Sequence, residues 1–374
     1  MTTEPIGVYV HIPYCIRKCN YCDFCSLPEG GGGVPDVYVD RLCEEILAYR
    51  GECKIPASTL YFGGGTPSLL CSPQLEKIIS ALNLVFDFTS ELEFTLEANP
   101  GTVNEEKLRQ LRGLGVNRLS LGMQSAHVNE LSALGRIHNH TDLTDAFLAA
   151  RRVGFDNISC DLMYGIPHQT EQSFRDTLTA LTELNPEHIS VYGLMIEEGT
   201  PFYEMQGTLP LPSEELECEM YYLADKLLTS SGYSHYEISN YAKEGKESRH
   251  NLKYWYASEY LGFGAAAASF FCGKRFVNTS NVSEYLKSNG ASYNTCEALT
   301  DTDIEFEYCM LRLRLKEGIV LADYKDKFGR DFYDGREGVI EKMSMLGLLE
   351  AGKERIALTA KGFYLSNTVM CELL

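Results

Sequence analysis

An alternation of short β-rich runs with stretches of helical period constrains the fold more than any other feature of the chain. The β-rich runs lie at residues 7–12, 59–63, 92–98, 118–123, 158–166 and 188–194. Amphipathic segments such as VDRLCEEILAYR and EEKLRQLRGLG stand between them, and the second ends on a glycine suited to a helix C-terminus. Alternating strands and helices predict βαβ units on a parallel sheet. We therefore predict an α/β fold, a partial (β/α)6 TIM-like barrel.

The remainder of the chain has a different composition. Residues 250–285 are rich in aromatic residues and glycine, and from about residue 300 the pattern becomes helical, with a final strand-like run, RIALTAKGFYLSN. These patterns predict two domains: the barrel over residues 1–240 and a smaller, mostly helical C-terminal domain over residues 241–374.

A cluster of cysteines lies near the N-terminus, in CIRKCNYCDFCS at residues 15–26. The chain has 13 cysteines, and most of the others stand singly in apolar stretches, as small core residues often do. The N-terminal sequence has no secretory pattern, so we do not expect a disulfide framework. A metal or redox role for the cluster is the stronger hypothesis.

The spacing of the cluster leaves two metal sites open. Cys15, Cys19 and Cys22 form C-x3-C-x2-C, and Cys25 follows three residues later. Zinc usually takes four nitrogen or sulfur ligands, and His11 or Cys25 would complete such a site. Closely spaced thiolates in a short loop also suit a [4Fe–4S] cluster. Three cysteine ligands would leave one iron free to bind a small molecule.

Charge and hydropathy exclude some partners. Thirty-three Lys and Arg stand against 52 Asp and Glu, for a net charge of −19. Nucleic-acid binding relies on clustered Lys and Arg, so we do not expect a nucleic-acid partner. No apolar run approaches the ~20 residues that a bilayer span requires. We therefore expect a cytoplasmic protein without stable membrane insertion.

The C-x3-C-x2-C spacing, with Tyr21 just before the last cysteine, resembles the signature of the radical S-adenosylmethionine (SAM) enzymes. The resemblance implies that the open iron binds SAM and that an electron from the cluster cleaves it to a 5′-deoxyadenosyl radical. In such proteins the cofactor carries the chemistry and the protein positions it. A partial barrel is the usual fold of that superfamily, although a fold alone does not establish function.

Polar residues and glycines follow the predicted strands where a parallel barrel binds its ligands. They are the GGGTP segment at residues 63–67, Glu97 in LEANP, Gln124 in LGMQS and Asp161 in CDLMYGIP. A glycine triplet usually marks a turn, and a carboxylate at a strand end often caps a helix. Because the carboxyl ends of the strands share one mouth, we also expect these groups to form a binding site.

An ordered set of motifs resembles the oxygen-independent coproporphyrinogen III oxidase family over nearly the whole chain. The motifs are YVHIPYC, GGGTP, EANP, LGMQS, GRIHN and DLMYGIPHQT. The resemblance implies a [4Fe–4S] cluster on Cys15, Cys19 and Cys22. It implies contacts to SAM at Tyr9, Gly64 and Glu97. For a second SAM molecule it implies Tyr21, Gly65, Thr66, Gln124, Arg136 and Asp161.

This family has an oxidase branch, which converts two propionates to vinyls, and the HemW branch of heme chaperones, which bind heme and deliver it to apo-proteins. The oxidases carry a cysteine two residues after the third ligand, where this chain has Phe24, with Cys25 one place beyond. They also have a long N-terminal extension, whereas this chain begins eight residues before Tyr9. Both features favour the chaperone branch.

The segment HNLKYW at residues 250–255 matches the H-N-x-x-Y-W motif associated with HemW. Imidazole is the commonest protein ligand of heme iron, so we predict His250 as the heme ligand, with Tyr254 and Trp255 packing on the porphyrin. The alternative is a buried histidine with both nitrogens hydrogen-bonded and a tryptophan that anchors the core. In one departure from the branch, Ala268 stands where HemW-like sequences commonly have histidine.

The sequence therefore predicts a heme chaperone with a [4Fe–4S] cluster and SAM, whose partners are heme and heme-accepting apo-proteins. The alternative function is an oxygen-independent coproporphyrinogen III oxidase. Whether two copies form a homodimer is left open.

Overall fold

The computed structural model describes residues 4–30, 32–288 and 293–374. Within these residues the strands are β1 (Ile6–Ile12), β2 (Tyr14–Cys15), β3 (Leu27–Pro28), β4 (Ile55–Gly64), β5 (Phe86–Ala98), β6 (Arg118–Gln124), β7 (Ile158–Tyr164), β8 (His188–Gly193), β9 (Ser234–Glu237), β10 (Asn240–Ala242), β11 (Tyr260–Phe263), β12 (Ala268–Phe271), β13 (Lys274–Asn278), β14 (Tyr293–Ala298), β15 (Ile319–Val320), β16 (Leu349–Ala351) and β17 (Arg355–Leu358).

The helices of the same residues are α1 (Asp36–Leu47), α2 (Ser72–Val85), α3 (Glu105–Gly113), α4 (Val128–Ala133), α5 (His140–Arg152), α6 (Glu171–Leu184), α7 (Pro201–Glu204), α8 (Glu214–Ser230), α9 (Arg249–Trp255), α10 (Val282–Lys287), α11 (Asp301–Arg312), α12 (Leu321–Phe328), α13 (Glu337–Met345), α14 (Ala360–Tyr364) and α15 (Ser366–Leu373).

Six parallel strands form the centre of the molecule in chain order, β1-β4-β5-β6-β7-β8. Each of the six β-rich runs of the sequence corresponds to one of them. Helices connect these strands, as parallel pairs require. The predicted α/β fold with a partial barrel is confirmed.

The two faces of each barrel strand differ, because successive side chains point to opposite sides of a sheet. On β1, Val8, Val10 and Ile12 are fully buried in the main apolar core, which also contains the apolar faces of the surrounding helices. The alternate residues, Tyr9 and His11, lie on the other face, where the ring of Tyr9 stacks on Tyr61 of the next strand. The inner face of the barrel is therefore the face that carries polar and aromatic groups.

The sheet continues beyond the six parallel strands at both edges. At one edge, β10 pairs antiparallel with β8, and β9 follows it. At the other edge, β11 pairs parallel with β1, and β12, β13 and β14 add in antiparallel order. The described residues thus form one sheet of 12 strands.

A second core begins near residue 301. Five helices, α11 to α15, surround the small antiparallel sheet β15-β17-β16 and enclose apolar side chains that include Ile319, Tyr324, Ile356 and Val369. This part is mostly helical, in line with the prediction. The predicted division at residue 240 differs from the observed sheet, since β10 crosses it and β11 pairs with the barrel strand β1, from which β12, β13 and β14 extend the sheet in turn. The strand β11 finds its partner β1 about 250 residues away, which no local pattern indicates, whereas β12, β13 and β14 each pair with the preceding strand.

No helix in the described part of the chain is both long and apolar enough to cross a membrane.

Candidate cofactor site in the barrel

A cavity of about 390 Å³ lies inside the barrel. Nearly all residues that the sequence singled out for the cluster and for SAM line it. They are Cys15, Cys19, Tyr21, Cys22, Gly64, Gly65, Thr66, Glu97, Gln124, Arg136 and Asp161. Most of them follow the carboxyl ends of the parallel strands, and we call this end the mouth of the cavity. The structure thus brings together residues that are up to about 145 positions apart in sequence.

The thiols lie in the loop between β1 and β3. Cys15 is buried, and Cys19 and Cys22 are partly buried. Thr66 Oγ1 donates a hydrogen bond to Cys15 Sγ at 3.4 Å, and Arg136 Nη1 donates one to Cys19 Sγ at 3.6 Å. Burial raises the pKa of the Cys15 and Cys22 thiols. Coordination to a metal centre would favour the thiolate forms of both.

The donor set is compatible with a cluster, because three thiols line one cavity. Each cysteine of a [4Fe–4S] cluster binds a different iron, so its thiolates stand farther apart than the ligands of one zinc ion. In the described ranges, no group of three or more His, Cys, Asp or Glu side chains is arranged to hold a single metal ion. All 13 cysteines are free of disulfides. Ser26 lines the same cavity, and its hydroxyl is buried beside the thiols.

Glu97 is held by two donors from the neighbouring strand β4. Tyr61 OH donates to Glu97 Oε1 at 2.7 Å, and the Gly64 amide donates to Glu97 Oε2 at 3.2 Å. Burial raises the pKa of Glu97 to about 7, and the negative charge of Asp161 adds to this effect. Gly64 has a φ of 113°, and a Cβ there would lie 2.6 Å from His11 Cε1. The backbone can therefore reach Glu97 only with glycine at this position.

Arg136 and Asp161 place opposite charges in the cavity wall. Arg136 Nη2 donates to the Gly122 carbonyl at 2.7 Å, and its Nε is buried without a partner. The Ser120 hydroxyl lies 3.3 and 3.4 Å from the two carboxylate oxygens of Asp161. Burial raises the pKa of Asp161. Both groups retain unused hydrogen-bonding capacity toward the cavity.

The remaining wall residues have local constraints of their own. The Asn99 amide donates to Thr66 Oγ1 at 2.9 Å, which orients that hydroxyl toward Cys15. A Cβ at Gly65 would lie 2.7 Å from the Tyr14 carbonyl oxygen, so the GGGTP turn packs directly on the cysteine loop. Gln124 has a φ of 65°, a conformation that is uncommon outside glycine and that turns the chain at the end of β6.

Tyr9 and Cys25 lie outside the cavity wall. Tyr9 OH donates to His11 Nδ1 at 2.9 Å, because His11 Nε2 donates to the Cys25 carbonyl. Cys25 Sγ donates to the Ser280 carbonyl at 3.2 Å. Phe24, which stands in the place of the oxidases' further cysteine, lines the cavity with 63% of its side chain exposed.

His250 lies at the opposite end of the barrel, on α9. Its Nδ1 is hydrogen-bonded to Thr59 Oγ1 and its Nε2 to Tyr254 OH, both at 2.8 Å. The ring is 1% exposed and stacks on Tyr61 at 5.1 Å between centroids. Burial lowers the pKa of His250 to about 3. Both nitrogens are occupied, so this arrangement corresponds to the alternative of a hydrogen-bonded core histidine, and ligation of iron would require the hydrogen bond at the ligating nitrogen to open.

The helix α9 closes the amino end of the barrel, which we call the floor of the cavity. The Glu93 carboxylate accepts hydrogen bonds from the backbone amides of Arg249 and His250 at 3.0 Å each, and so fixes the start of the helix. The Arg314 guanidinium packs over the ring of Trp255, on the side of the second core. Ala268 lies in β12 and does not line the cavity.

Several cavity residues were missed by sequence reasoning. They are Arg118, Ser120, Ser159, His188, Ser190, Tyr192 and Asn251. The sequence signal that could have found them is the alternation within each strand, in which every second side chain points into the barrel. In β6, for example, Arg118, Ser120, Gly122 and Gln124 alternate with buried apolar residues.

Comparisons with known proteins agree with this geometry. A model described as the radical SAM superfamily matches residues 9–181, and one described as the HemN C-terminal domain matches residues 299–365. A protein named heme chaperone HemW from Lactococcus lactis subsp. lactis (strain IL1403) is 36% identical over 99% of this chain and 97% of its own length. Proteins of the same name from Bacillus subtilis (strain 168) and Escherichia coli (strain K12) are 38% and 35% identical, over 97% and 86% of this chain and 97% and 85% of their own lengths.

Among solved structures, coproporphyrinogen III oxidase (HemN) from Escherichia coli, described as a radical SAM enzyme, superposes with a TM-score of 0.86. The match covers 99% of this chain and 90% of that chain at 24% sequence identity. At this identity the likeness establishes the shared fold alone.

Proposed function

Since this chain belongs to the HemW family of radical SAM proteins, we propose that it is a heme chaperone, which binds heme and transfers it to acceptor apo-proteins. The observation that carries the proposal is the identity of 36–38% over almost the full length to relatives named heme chaperone. A cytoplasmic location belongs to the same proposal.

Cys15, Cys19 and Cys22 would hold a [4Fe–4S] cluster. When bound, such a cluster supplies an electron and an open iron at which SAM can bind. Three free thiols lining one cavity, with Thr66 and Arg136 as hydrogen-bond donors to two of them, support this assignment. Hydrogen bonds to cluster sulfurs are one means by which proteins tune cluster potentials.

SAM would be held by the cavity wall. Glu97 suits the methionine ammonium, because a carboxylate with a raised pKa gains most from a nearby positive charge. Arg136 suits a carboxylate, for which a guanidinium provides paired donors. The rest of the wall is lined by Tyr21, Gly65, Thr66, Gln124 and Asp161. Tyr9 lies behind the wall, where its ring stacks on that of Tyr61.

The heme ligand is a separate question. The proposal that His250 ligates heme iron rests on its motif, and it requires either the bond to Thr59 or the bond to Tyr254 to open, so that one ring nitrogen is released. Heme-accepting apo-proteins are the proposed partners, and a homodimer is an arrangement that the transfer step does not require.

The alternative function is coproporphyrinogen III oxidation, supported by the shared fold. Reconstituted protein should be incubated without oxygen with a reductant, SAM and coproporphyrinogen III, and the porphyrins analysed by chromatography. In parallel, heme-loaded protein should be mixed with apomyoglobin as an acceptor and the Soret band followed. We expect heme transfer without decarboxylation. Decarboxylated porphyrin would make the protein an oxidase, and heme that is neither bound nor passed on would contradict the chaperone proposal.

A further inference from the structure

A buried arginine without a partner lies at the floor of the cavity. Arg118 begins β6 and pairs in register with Thr95, one layer nearer the amino end than Ser120, which pairs with Glu97. Its side chain lines the cavity, although the residue is only 2% exposed. Arg118 Nε has no hydrogen-bond partner, and no hydrogen bond or ion pair joins the guanidinium to any residue that the structure describes. A buried cation left this way is costly unless a ligand satisfies it.

The two carboxylates near Arg118 are hydrogen-bonded to groups other than its guanidinium. Glu97 accepts from Tyr61 and Gly64, and Asp161 lies against Ser120. The two carboxylates therefore balance the charge of Arg118 at a distance without using its donors. A purely compensating arginine would be expected to bond at least one of them, because a bidentate guanidinium–carboxylate pair is the stronger arrangement.

Two uncharged side chains, His188 and Asn251, also line the cavity. His188 has both ring nitrogens hydrogen-bonded, to Ser159 Oγ at 2.7 Å and to Tyr236 OH at 2.8 Å, and burial lowers its pKa, so it is an uncharged part of the wall. Asn251 lines the cavity from α9, and its side-chain amide has no hydrogen bond to any other described residue. Arg118 and Asn251 together offer a guanidinium fork and a neutral amide donor at the floor.

We propose that Arg118, assisted by Asn251, is a carboxylate-binding site for a ligand held in the cavity. The carboxylate has two chemical sources. One is a porphyrin propionate, in which case the inference rests on the proposed heme function. The other is the α-carboxylate of SAM, which requires only the cofactor.

The test compares acid and neutral ligands on wild-type protein and on Arg118→Gln, both reconstituted without oxygen. The ligand pairs are heme with its dimethyl ester, and SAM with its decarboxylated form. Binding is followed by the fluorescence of Trp255, the sole tryptophan, which lies on α9. We expect Arg118→Gln to weaken one acid ligand about 10- to 100-fold, the loss expected for charge-assisted hydrogen bonds, and to leave its neutral analogue unchanged.

The outcomes separate the sources. If Arg118→Gln no longer discriminates between heme and its dimethyl ester, the carboxylate bound by Arg118 is a porphyrin propionate. If the variant no longer discriminates between SAM and its decarboxylated form, that carboxylate is the α-carboxylate of SAM. Unchanged ratios for both pairs would overturn the site. Failure of the wild type to bind either porphyrin would contradict the heme function, while the SAM pair would still test Arg118.

Two further variants serve as controls for the effect of Arg118→Gln. Arg118→Lys keeps the charge but loses the fork, so it should weaken the same acid ligand by a smaller factor even if the Gln variant does not fold. Equal weakening of acid and neutral ligands by Lys would indicate a structural role and would also overturn the site. Arg152→Gln, which removes an exposed arginine paired with Glu105, should alter none of the four affinities.

Discussion

At the mouth of the cavity, the thiols of Cys15 and Cys19 line the cavity and accept hydrogen bonds from Thr66 and Arg136, respectively. At the floor, the imidazoles of His188 and His250 have both nitrogens hydrogen-bonded within the protein. The same barrel strands support both ends. Residues with polar groups that remain free to bind a ligand are candidates for cofactor contacts. Residues whose polar groups are all hydrogen-bonded within the protein stabilise the fold. Arg118 is an exception, since it lies at the floor but its guanidinium has no hydrogen bond or ion pair to any residue that the structure describes.

The largest expected effect is at the mouth. Cys19→Ala removes one of three cluster ligands, and we expect it to abolish iron loading, since the open iron cannot replace a protein ligand. Iron and sulfide content and the brown absorbance after anaerobic reconstitution measure this. Cys25→Ala is the matched control and should load as the wild type, because its thiol bonds to Ser280 outside the cavity. Full loading of Cys19→Ala would mean that the mouth does not hold the cluster in this way.

At the floor we expect an effect on stability. His250→Ala removes a buried ring, leaves Thr59 and Tyr254 without their partner, and should lower the free energy of unfolding by about 2–4 kcal/mol. Denaturant unfolding measures the change. His127→Ala, which removes a partly exposed histidine 4.0 Å from Asp176, should cost less than about 0.5 kcal/mol.

The same variant decides whether the floor also binds heme. If His250 only holds the floor, ferric heme bound to His250→Ala keeps the wild-type absorption spectrum. A changed spectrum with weaker binding would identify the imidazole as the iron ligand. The floor would then also contain a residue that binds a ligand, and the difference between mouth and floor would not hold.

A smaller effect is expected from Glu97, which also lies at the mouth, near the carboxyl end of β5. Burial raises its pKa in the folded protein to about 7, above the ordinary value of 4.5. A carboxyl group with a raised folded pKa favours the folded state below the ordinary pKa, and this contribution is lost as the pH rises through the folded value. Without cluster or SAM, the wild type should therefore lose stability relative to Glu97→Gln between pH 4.5 and 7, by about 1–3 kcal/mol. Parallel pH profiles of unfolding for the two proteins would contradict this.

The local pattern was sufficient for the six parallel strands, since each is an apolar run between amphipathic segments. It was also sufficient to indicate that Glu97, Gln124 and Asp161 share one mouth, because parallel strands end at the same side. The motifs placed the three cysteines beside them. The roles of these residues in binding a cluster and SAM are predictions that the experiments above address.

Arg118 and His250 show where sequence reasoning stopped. In the sequence, Arg118 stands before the strand-end motif LGMQS and looks like an ordinary charged residue at the start of a strand. Its importance depends on facing inward and on the absence of partners among residues from other strands. His250 carries a motif that suggests a ligand, yet its environment consists of Thr59 and Tyr61 from β4 and Tyr254 from its own helix.

The sequence by itself determined the alternation of strands and helices, the spacing of the thiols and the family to which the chain belongs, because these depend on residues that are near one another or on the order of motifs. Only the tertiary structure decided which polar groups are satisfied, that β11 joins the edge of β1, and that α9 closes the barrel. Those outcomes depend on contacts between residues about 190 to 250 positions apart. Hydrogen bonding and burial at such separations are set by the packed chain as a whole and leave no local trace in the sequence.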